Sequence, residues 1–337
     1  MKAYRISRFG LEHLEQVELP TPQPGRGQVL VRIHAVSLNF RDLLMTRGLY
    51  NPKMALPRIP CSDGAGEVVA VGDEVSRLRV GDRVAGIFMQ HWLEGSLTPA
   101  KARGALGGDV DGMLAEYVVL DENGVVPFPE HLSFAEAATL PCAALTAWHA
   151  LVHAAAVKAG DTVLIQGTGG VSLFALQFAR LLGARVLGTS SSAEKIARAR
   201  ALGLQDAVNY REHADWAAWV QEQTGGAGAD LVVEVGGAGT LNQSLQAVRT
   251  CGTIAQIGVL TGLSEPVSLA PVLHKQVRIQ GIYVGSRAMF EEMNKAIALA
   301  KLRPVVDRIF PFTDARQAMQ HMASGAHFGK IVIAVNS

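Results

Sequence analysis

Asp161-Thr162-Val163-Leu164-Ile165-Gln166-Gly167-Thr168-Gly169-Gly170-Val171-Ser172 is the stretch on which the fold turns. A short apolar run, 161–166, ends in a glycine cluster. Beyond it, 171–182 is apolar nearly all round, with Gln177 and Arg180 as its polar face and Gly183 placed to close it. Strand, tight turn and helix follow one another. In such a turn Gly167 permits the sharp bend, Gly169 lets a pyrophosphate approach bare backbone, and the N–H groups of the helix start attract anionic oxygens. The third glycine of the G-x-G-x-x-G pattern is Ser172, so the helix is expected to sit slightly farther from the strand. Gly167, Thr168, Gly169, Gly170 and Val171 are the candidate dinucleotide cradle.

Working outward, a second strand at 184–189 leads to Ser191-Ser192-Ala193-Glu194, which matches a helix capping box before an apolar helix at 196–202 closed by Gly203. Further short apolar strands are expected at 230–235, 252–257 and 277–282. This alternation is what a doubly wound parallel sheet needs. A site for NAD places an acid at the end of the second strand to grip the ribose 2′-hydroxyl. Here the sequence is Gly188-Thr189-Ser190-Ser191-Ser192, with Lys195 just beyond. Hydroxyls without a carboxylate, beside a cation, favour NADP(H) over NAD(H), with Ser190, Ser191 and Lys195 as contacts. The competing reading is that the serines only cap the next helix and Lys195 is solvated.

The first 130 residues differ in kind. In 29–36, Val31, Ile33 and Ala35 alternate with Arg32 and His34, as a half-buried strand requires. Similar runs lie at 66–71, 80–87 and 114–120, with Gly72-Asp73 and Gly81-Asp82 as turns. After Gly285 come a helix at 287–301, a stop at Pro304, a helix at 313–323 and a strand at 330–335. This tail is expected to rejoin the β-rich part. The division is therefore a β-rich domain of 1–140 and 285–337, with a nucleotide domain of 141–284 inserted in it.

With 337 residues, 49% of them hydrophobic, the chain can build two cores. Its 31 basic and 30 acidic side chains leave no net field for nucleic acid or an anionic membrane. Neither a membrane-length apolar run nor a signal-peptide pattern is present, so a cytoplasmic protein is expected. Cys61, Cys142 and Cys251 are far apart and odd in number, which argues against a disulfide framework. His149 and His153 have helical spacing, but Ala150 stands where a metalloprotease needs its glutamate, and no Gly-x-Ser-x-Gly elbow appears.

Ala35-Val36-Ser37-Leu38-Asn39-Phe40-Arg41-Asp42, Pro60-Cys61-Ser62-Asp63-Gly64-Ala65-Gly66-Glu67-Val68, Val80-Gly81-Asp82-Arg83-Val84, Leu145-Thr146-Ala147, the glycine loop and Asn209-Tyr210-Arg211 together carry a family resemblance. Over essentially its whole length the chain resembles the medium-chain dehydrogenase/reductase superfamily, and within it the zinc-independent quinone oxidoreductase-like branch. The resemblance implies an α/β fold, a Rossmann doubly wound parallel sheet inserted into a β-rich chaperonin-10-like catalytic domain. It also implies a homodimer, with edge strands near 277–282 pairing.

Zinc-using members of the superfamily would have cysteine at the position of Asn39, histidine at that of Ser62 and cysteine at that of Cys142; only the last is kept. The four closely spaced cysteines of their structural zinc lobe have no counterpart in 89–112. No zinc is expected at either place. By resemblance, Asn39, Tyr50 and Thr146 face the nicotinamide and a substrate carbonyl. Tyr210 joins Lys195 at the adenosine 2′-phosphate, and the stretches at Val235, Gly258 and Tyr283 line the nicotinamide side. Phe328-Gly329-Lys330 is the candidate to close over the cofactor.

Without a Lewis acid, alkoxide formation from a simple alcohol loses its main support, whereas a quinone or enone delocalises incoming charge. The expected reaction is hydride transfer from NADPH to a quinone or α,β-unsaturated carbonyl, in a dry cleft between the domains. Two rivals stand beside it: an NAD(P)-dependent alcohol dehydrogenase, and an NADPH-binding sensor or structural protein without turnover.

Overall fold

A computed structural model describes residues 1–336, which divide into two units, 1–145 with 284–336, and Thr146–Tyr283. The second unit is built on six strands: β1 Thr162–Gln166, β2 Arg185–Ser190, β3 Asp206–Asn209, β4 Ala229–Glu234, β5 Val248–Gln256 and β6 Arg278–Gly281. All pair in parallel, in the order β3-β2-β1-β4-β5-β6. That is the doubly wound Rossmann order, whose direction reverses between β1 and β4. Parallel strands covered on both faces read as unbroken apolar runs, and Val163, Leu164 and Ile165 of β1 are all buried. Leu187, Val232, Ile254, Trp216 and Leu245 join Leu164 in one core. Each such side chain contributes roughly 1.5–3 kcal/mol relative to exposure.

Helix α1, Gly170–Leu181, follows β1 and buries Leu173, Phe174, Leu176 and Phe178. Gly183, at φ 78°, ends it in the left-handed conformation that favours glycine, and Ala184 N–H closes onto the Ala179 carbonyl at 2.9 Å. Helix α2, Ala193–Ala201, begins one residue later than the capping-box reading placed it. β2 runs on to Ser190, so Ser192 is the N-cap and its hydroxyl accepts from Lys195 N–H at 3.3 Å. Three further helices escaped the sequence reading, α3 Trp216–Gln223, α4 Ala238–Ala247 and the short α5 Ala270–His274.

The first unit holds a seven-stranded sheet. Val306–Pro311, Lys330–Ala334, Gln28–Ser37, Asp63–Val71, Arg83–Gly86 and Val125–Pro127 lie side by side, and Tyr117–Asp121 pairs with Gln28–Ser37. Lys2–Ile6 and Leu14–Glu18 form a separate hairpin. The strand expected at 80–87 shortens to Arg83–Gly86. Val80 is 58% exposed, and Gly81-Asp82 make the turn, with the Asp82 carboxylate accepting from Arg79 N–H. The helix Phe40–Thr46 was also unforeseen; its signal was Asn39 three residues before Asp42, which form a reciprocal capping box. Among the described residues no helix is long and apolar enough to cross a membrane.

Candidate functional site

Gly167 has φ 68°, and its N–H donates to the Thr189 carbonyl at 2.7 Å, so the loop is tied to the end of β2. A Cβ placed on Gly167 or Gly169 would meet no atom within 4 Å, so the loop's outer side is open. Gly169 is the N-cap of α1 and brings no side chain to the first-turn N–H groups. Bare backbone, open space and an uncapped helix start fit a dinucleotide pyrophosphate. Ser172, in place of the third glycine, is buried, and its hydroxyl donates to the Gln166 carbonyl at 2.6 Å. The substitution thus adds a direct bond between helix and strand.

At the end of β2, Ser190 is buried and its carbonyl accepts from Tyr210 N–H at 3.0 Å, which brings Tyr210 beside the serines. The Tyr210 ring is 43% exposed, and Lys195 lies in the first turn of α2. Thr168 is nearly buried, whereas Gly170, Val171 and Ser191 are half-buried. Across the reversal point, Gly258 N–H donates to the Glu234 carbonyl, and a Cβ on Gly258 would fall 2.1 Å from the Val235 carbonyl oxygen. Only glycine allows that approach, which sets Val235 and Gly258 together at the carboxyl ends of β4 and β5. Tyr283 is 37% exposed.

One group there was missed from sequence. Glu234 is fully buried at the end of β4. Its Oε1 accepts from Gly236 N–H, Gly237 N–H and the Thr240 hydroxyl at 2.8, 3.0 and 2.6 Å. Its Oε2 accepts from Gln166 Nε2 at 2.7 Å and from the Ser244 hydroxyl. Gln166 Oε1 in turn accepts from Val235 N–H and Gly236 N–H at 3.2 and 3.1 Å. Two polar side chains from the ends of β1 and β4 therefore fix the main chain at Val235–Gly237, beside the glycine loop.

In the first unit, Asn39 sits at the N-cap of Phe40–Thr46 and is 8% exposed. Its N–H donates to Asp42 Oδ2 at 2.8 Å, its Nδ2 points to the Ser62 hydroxyl at 3.4 Å, and its Oδ1 accepts from Lys330 Nζ at 2.6 Å. Ser62 donates to Asp63 Oδ1 at 2.7 Å, and Asp63 Oδ2 accepts from Cys142 N–H at 3.0 Å. Burial, then the nearby Asp63, push the Cys142 thiol up, which keeps it protonated. Burial also raises the Asp63 carboxyl, with Lys330 the leading influence against it. An amide, a hydroxyl and a single cysteine beside an ammonium are a donor set that does not fit zinc. Among the described residues no group of three or more His, Cys, Asp or Glu side chains is arranged to hold a metal ion.

Lys330 is thus found in a place the loop reading did not give it. It is 3% exposed, and its ammonium donates to Asn39 and to the Leu38 carbonyl. Tyr50 is 43% exposed, with the Arg41 guanidinium 5.7 Å from its ring centre. Thr146 is 3% exposed in the other unit. His149 and His153 lie on one π-helical turn, His149–Ala154, with ring centres 6.3 Å apart.

Comparison with known proteins agrees with both halves. The family described as alcohol dehydrogenase GroES-like domain matches residues 25–130, and that described as zinc-binding dehydrogenase matches residues 170–300. A zinc-type alcohol dehydrogenase-like protein of Schizosaccharomyces pombe is 42% identical over 334 residues, 97% of this chain and 96% of its own length. The quinone oxidoreductase of Sus scrofa is 30% identical over 345 residues, 99% of this chain and 97% of its own. A solved NAD-dependent alcohol dehydrogenase superposes with a TM-score of 0.92 at 36% identity, covering 100% of both chains. A Rossmann unit inserted into a GroES-like unit, matched along its whole length by such relatives, places this chain in the medium-chain dehydrogenase/reductase superfamily of oxidoreductases.

Proposed function

We propose that this oxidoreductase works without zinc and reduces quinones or α,β-unsaturated carbonyls with NADPH. The observation that carries the reading is the Asn39 cluster. Of the three positions where zinc-using relatives bring thiolate, imidazole and thiolate, this chain keeps only Cys142 and brings the Asn39 amide and the Ser62 hydroxyl to the others, with the ammonium of Lys330 held against Asn39. When bound, NADPH supplies the hydride from C4 and leaves as NADP⁺, while the acceptor gains that hydride and one proton from solvent. The protein binds the pyrophosphate on the Gly167–Val171 loop and the α1 start. Ser190, Ser191, Lys195 and Tyr210 receive the 2′-phosphate, with no carboxylate on that strand end to repel it. Val235, Gly258 and Tyr283 flank the nicotinamide. Asn39, Tyr50 and Thr146 donate hydrogen bonds to the acceptor oxygen as negative charge builds on it.

Homodimer formation belongs to the same reading, supported by the edge strand β6. All four of its residues are exposed, and Leu269 and Leu273 just before it are 71% and 74% exposed. Light scattering that returns a single chain mass at micromolar concentration would remove the dimer.

The deciding experiment is oxidation of NADPH and NADH by chelator-treated protein against quinones, enones and simple aldehydes. NADPH-linked reduction of quinones or enones is expected. Activity with aldehydes alone, restored by added zinc, would instead make this an alcohol dehydrogenase. Tight NADPH binding with no turnover on any acceptor would make it a sensor.

A further inference from the structure

The amide of Asn39 has one feature that an exposed asparagine lacks, because its orientation is dictated. An ammonium only donates, so the group facing Lys330 Nζ at 2.6 Å is the carbonyl oxygen of the side chain. The N–H side is thereby turned to Ser62 and Asp63. The backbone of Asn39 is held as well, by Asp42 Oδ2, and Asp42 Oδ1 accepts from Ser62 N–H at 3.3 Å. Lys330 is fixed in turn by the Leu38 carbonyl. Every group around this amide is buried, where a charge-assisted hydrogen bond polarises its partner more than it would in water.

We infer that Lys330 is a positioning residue for the reaction: its ammonium holds Asn39 Oδ1, so that Nδ2 turns one hydrogen to Ser62 and Asp63 and keeps its second for the acceptor oxygen, and it makes that second N–H a stronger donor. The inference rests on the role given to Asn39 above and replaces the cofactor contact first expected of Lys330. An ammonium accepting part of the amide's electron density increases the positive charge on Nδ2, where the growing oxyanion needs it. Lys330 touches neither cofactor nor substrate in this scheme and acts only through Asn39.

The test is a double-mutant cycle on the holoenzyme with the best acceptor, using Asn39→Ala, Lys330→Met and the pair. Lys330→Met is expected to lower kcat about tenfold to a hundredfold, less than the roughly 10²–10³ that outright loss of one aligned donor costs, because the amide remains and loses only its alignment and polarisation. KM and the NADPH dissociation constant should stay within about threefold, as for an interaction made only in the transition state. The double variant should be no slower than Asn39→Ala alone, and Lys330→Arg should recover part of the turnover. Losses that multiply would overturn the inference while leaving Asn39 in its role. Weaker NADPH binding at unchanged kcat would return Lys330 to the cofactor. If Asn39→Ala itself leaves kcat unchanged, the proposed role of Asn39 fails first, and this inference with it. Should the Met variant not fold, Lys330→Gln enters the same cycle, because it removes the charge and keeps a donor.

Discussion

Glu234→Gln changes one atom and should be felt throughout the nucleotide-binding unit. The new NH2 must replace either Oε1 or Oε2. On the Oε1 side it would face the N–H groups of Gly236 and Gly237, two main-chain donors that cannot turn away. On the Oε2 side it faces the Ser244 hydroxyl, which can rotate, and Gln166 Nε2, which cannot. Turning the Gln166 amide would abandon its bonds from Val235 N–H and Gly236 N–H. The cheaper arrangement therefore leaves one hydrogen of Gln166 Nε2 buried without an acceptor while the other keeps the Ser244 hydroxyl at 2.9 Å, a cost of about 1–3 kcal/mol. Weaker bonds from the three donors at the other oxygen add about 1 kcal/mol net, after the relief of desolvating a neutral group. The expected loss is about 2–4 kcal/mol of stability.

Urea unfolding followed by tryptophan fluorescence reports on this unit, because Trp148, Trp216 and Trp219 lie in it and only Trp92 lies outside. A matched titration should show NADPH and NADH weakened alike, since the network fixes Val235–Gly237 and does not touch the strand end at Ser190. A stability loss below about 0.5 kcal/mol would refute the reasoning, because it would mean that a neutral amide serves these five donors as well as a carboxylate.

Lys195→Ala should weaken NADPH about 10- to 100-fold, the worth of one charge-assisted contact to phosphate, and NADH by less than about twofold; equal losses would remove Lys195 from the 2′-phosphate. For the first unit the expectation concerns pH. Burial pushes the Asp42 carboxyl up to about 6, against the pull of Arg41 and with a push from Asp63. The folded state then holds its proton more tightly than the unfolded chain, so this group stabilises the fold below about pH 4 and that contribution is lost as pH rises through about 6, up to about 3 kcal/mol. Asp42→Asn should flatten the stability profile between those pH values. An unchanged profile would place the titration elsewhere.

Much of the nucleotide-binding unit was legible because its determinants are local. Gly167 needs a positive φ whatever lies far away in the chain, and the helix after it carries its own apolar face and its own terminator at Gly183. One local error, Ser191 for Ser192 as the cap of α2, arose because a run of three serines offers several caps and only the length of β2 chooses among them. Glu234 was illegible for another reason. An acid at the end of an apolar strand reads as a group turning toward solvent, and its leading partner, Gln166, is 68 residues away. Nothing in either neighbourhood announces a buried carboxylate. Phe40–Thr46 was missed although Asn39 and Asp42 carried a cap signal, because seven residues are too few for helical periodicity to stand out.

The same division between local and distant causes explains why the chemistry of the Asn39 cluster could be named from sequence while its arrangement could not. Asn39 and Lys330 are 291 residues apart, yet sheet register brings them together. Lys330–Ala334 runs antiparallel to Gln28–Ser37, with Ala334 opposite Ala35, Ile333 opposite Val36 and Val332 opposite Ser37. Two more steps along both strands set Lys330 opposite Asn39, and the bond from Leu38 N–H to the Ile331 carbonyl at 3.0 Å shows that the pairing extends that far. A slip of one residue would turn the lysine to the other face of the sheet. The apolar side chains Ile331 and Ile333, both fully buried, fix that register. Val332, on the lysine's own face, is as fully buried as the two isoleucines on the other, so packing on both faces holds the register that decides which partner the amide meets.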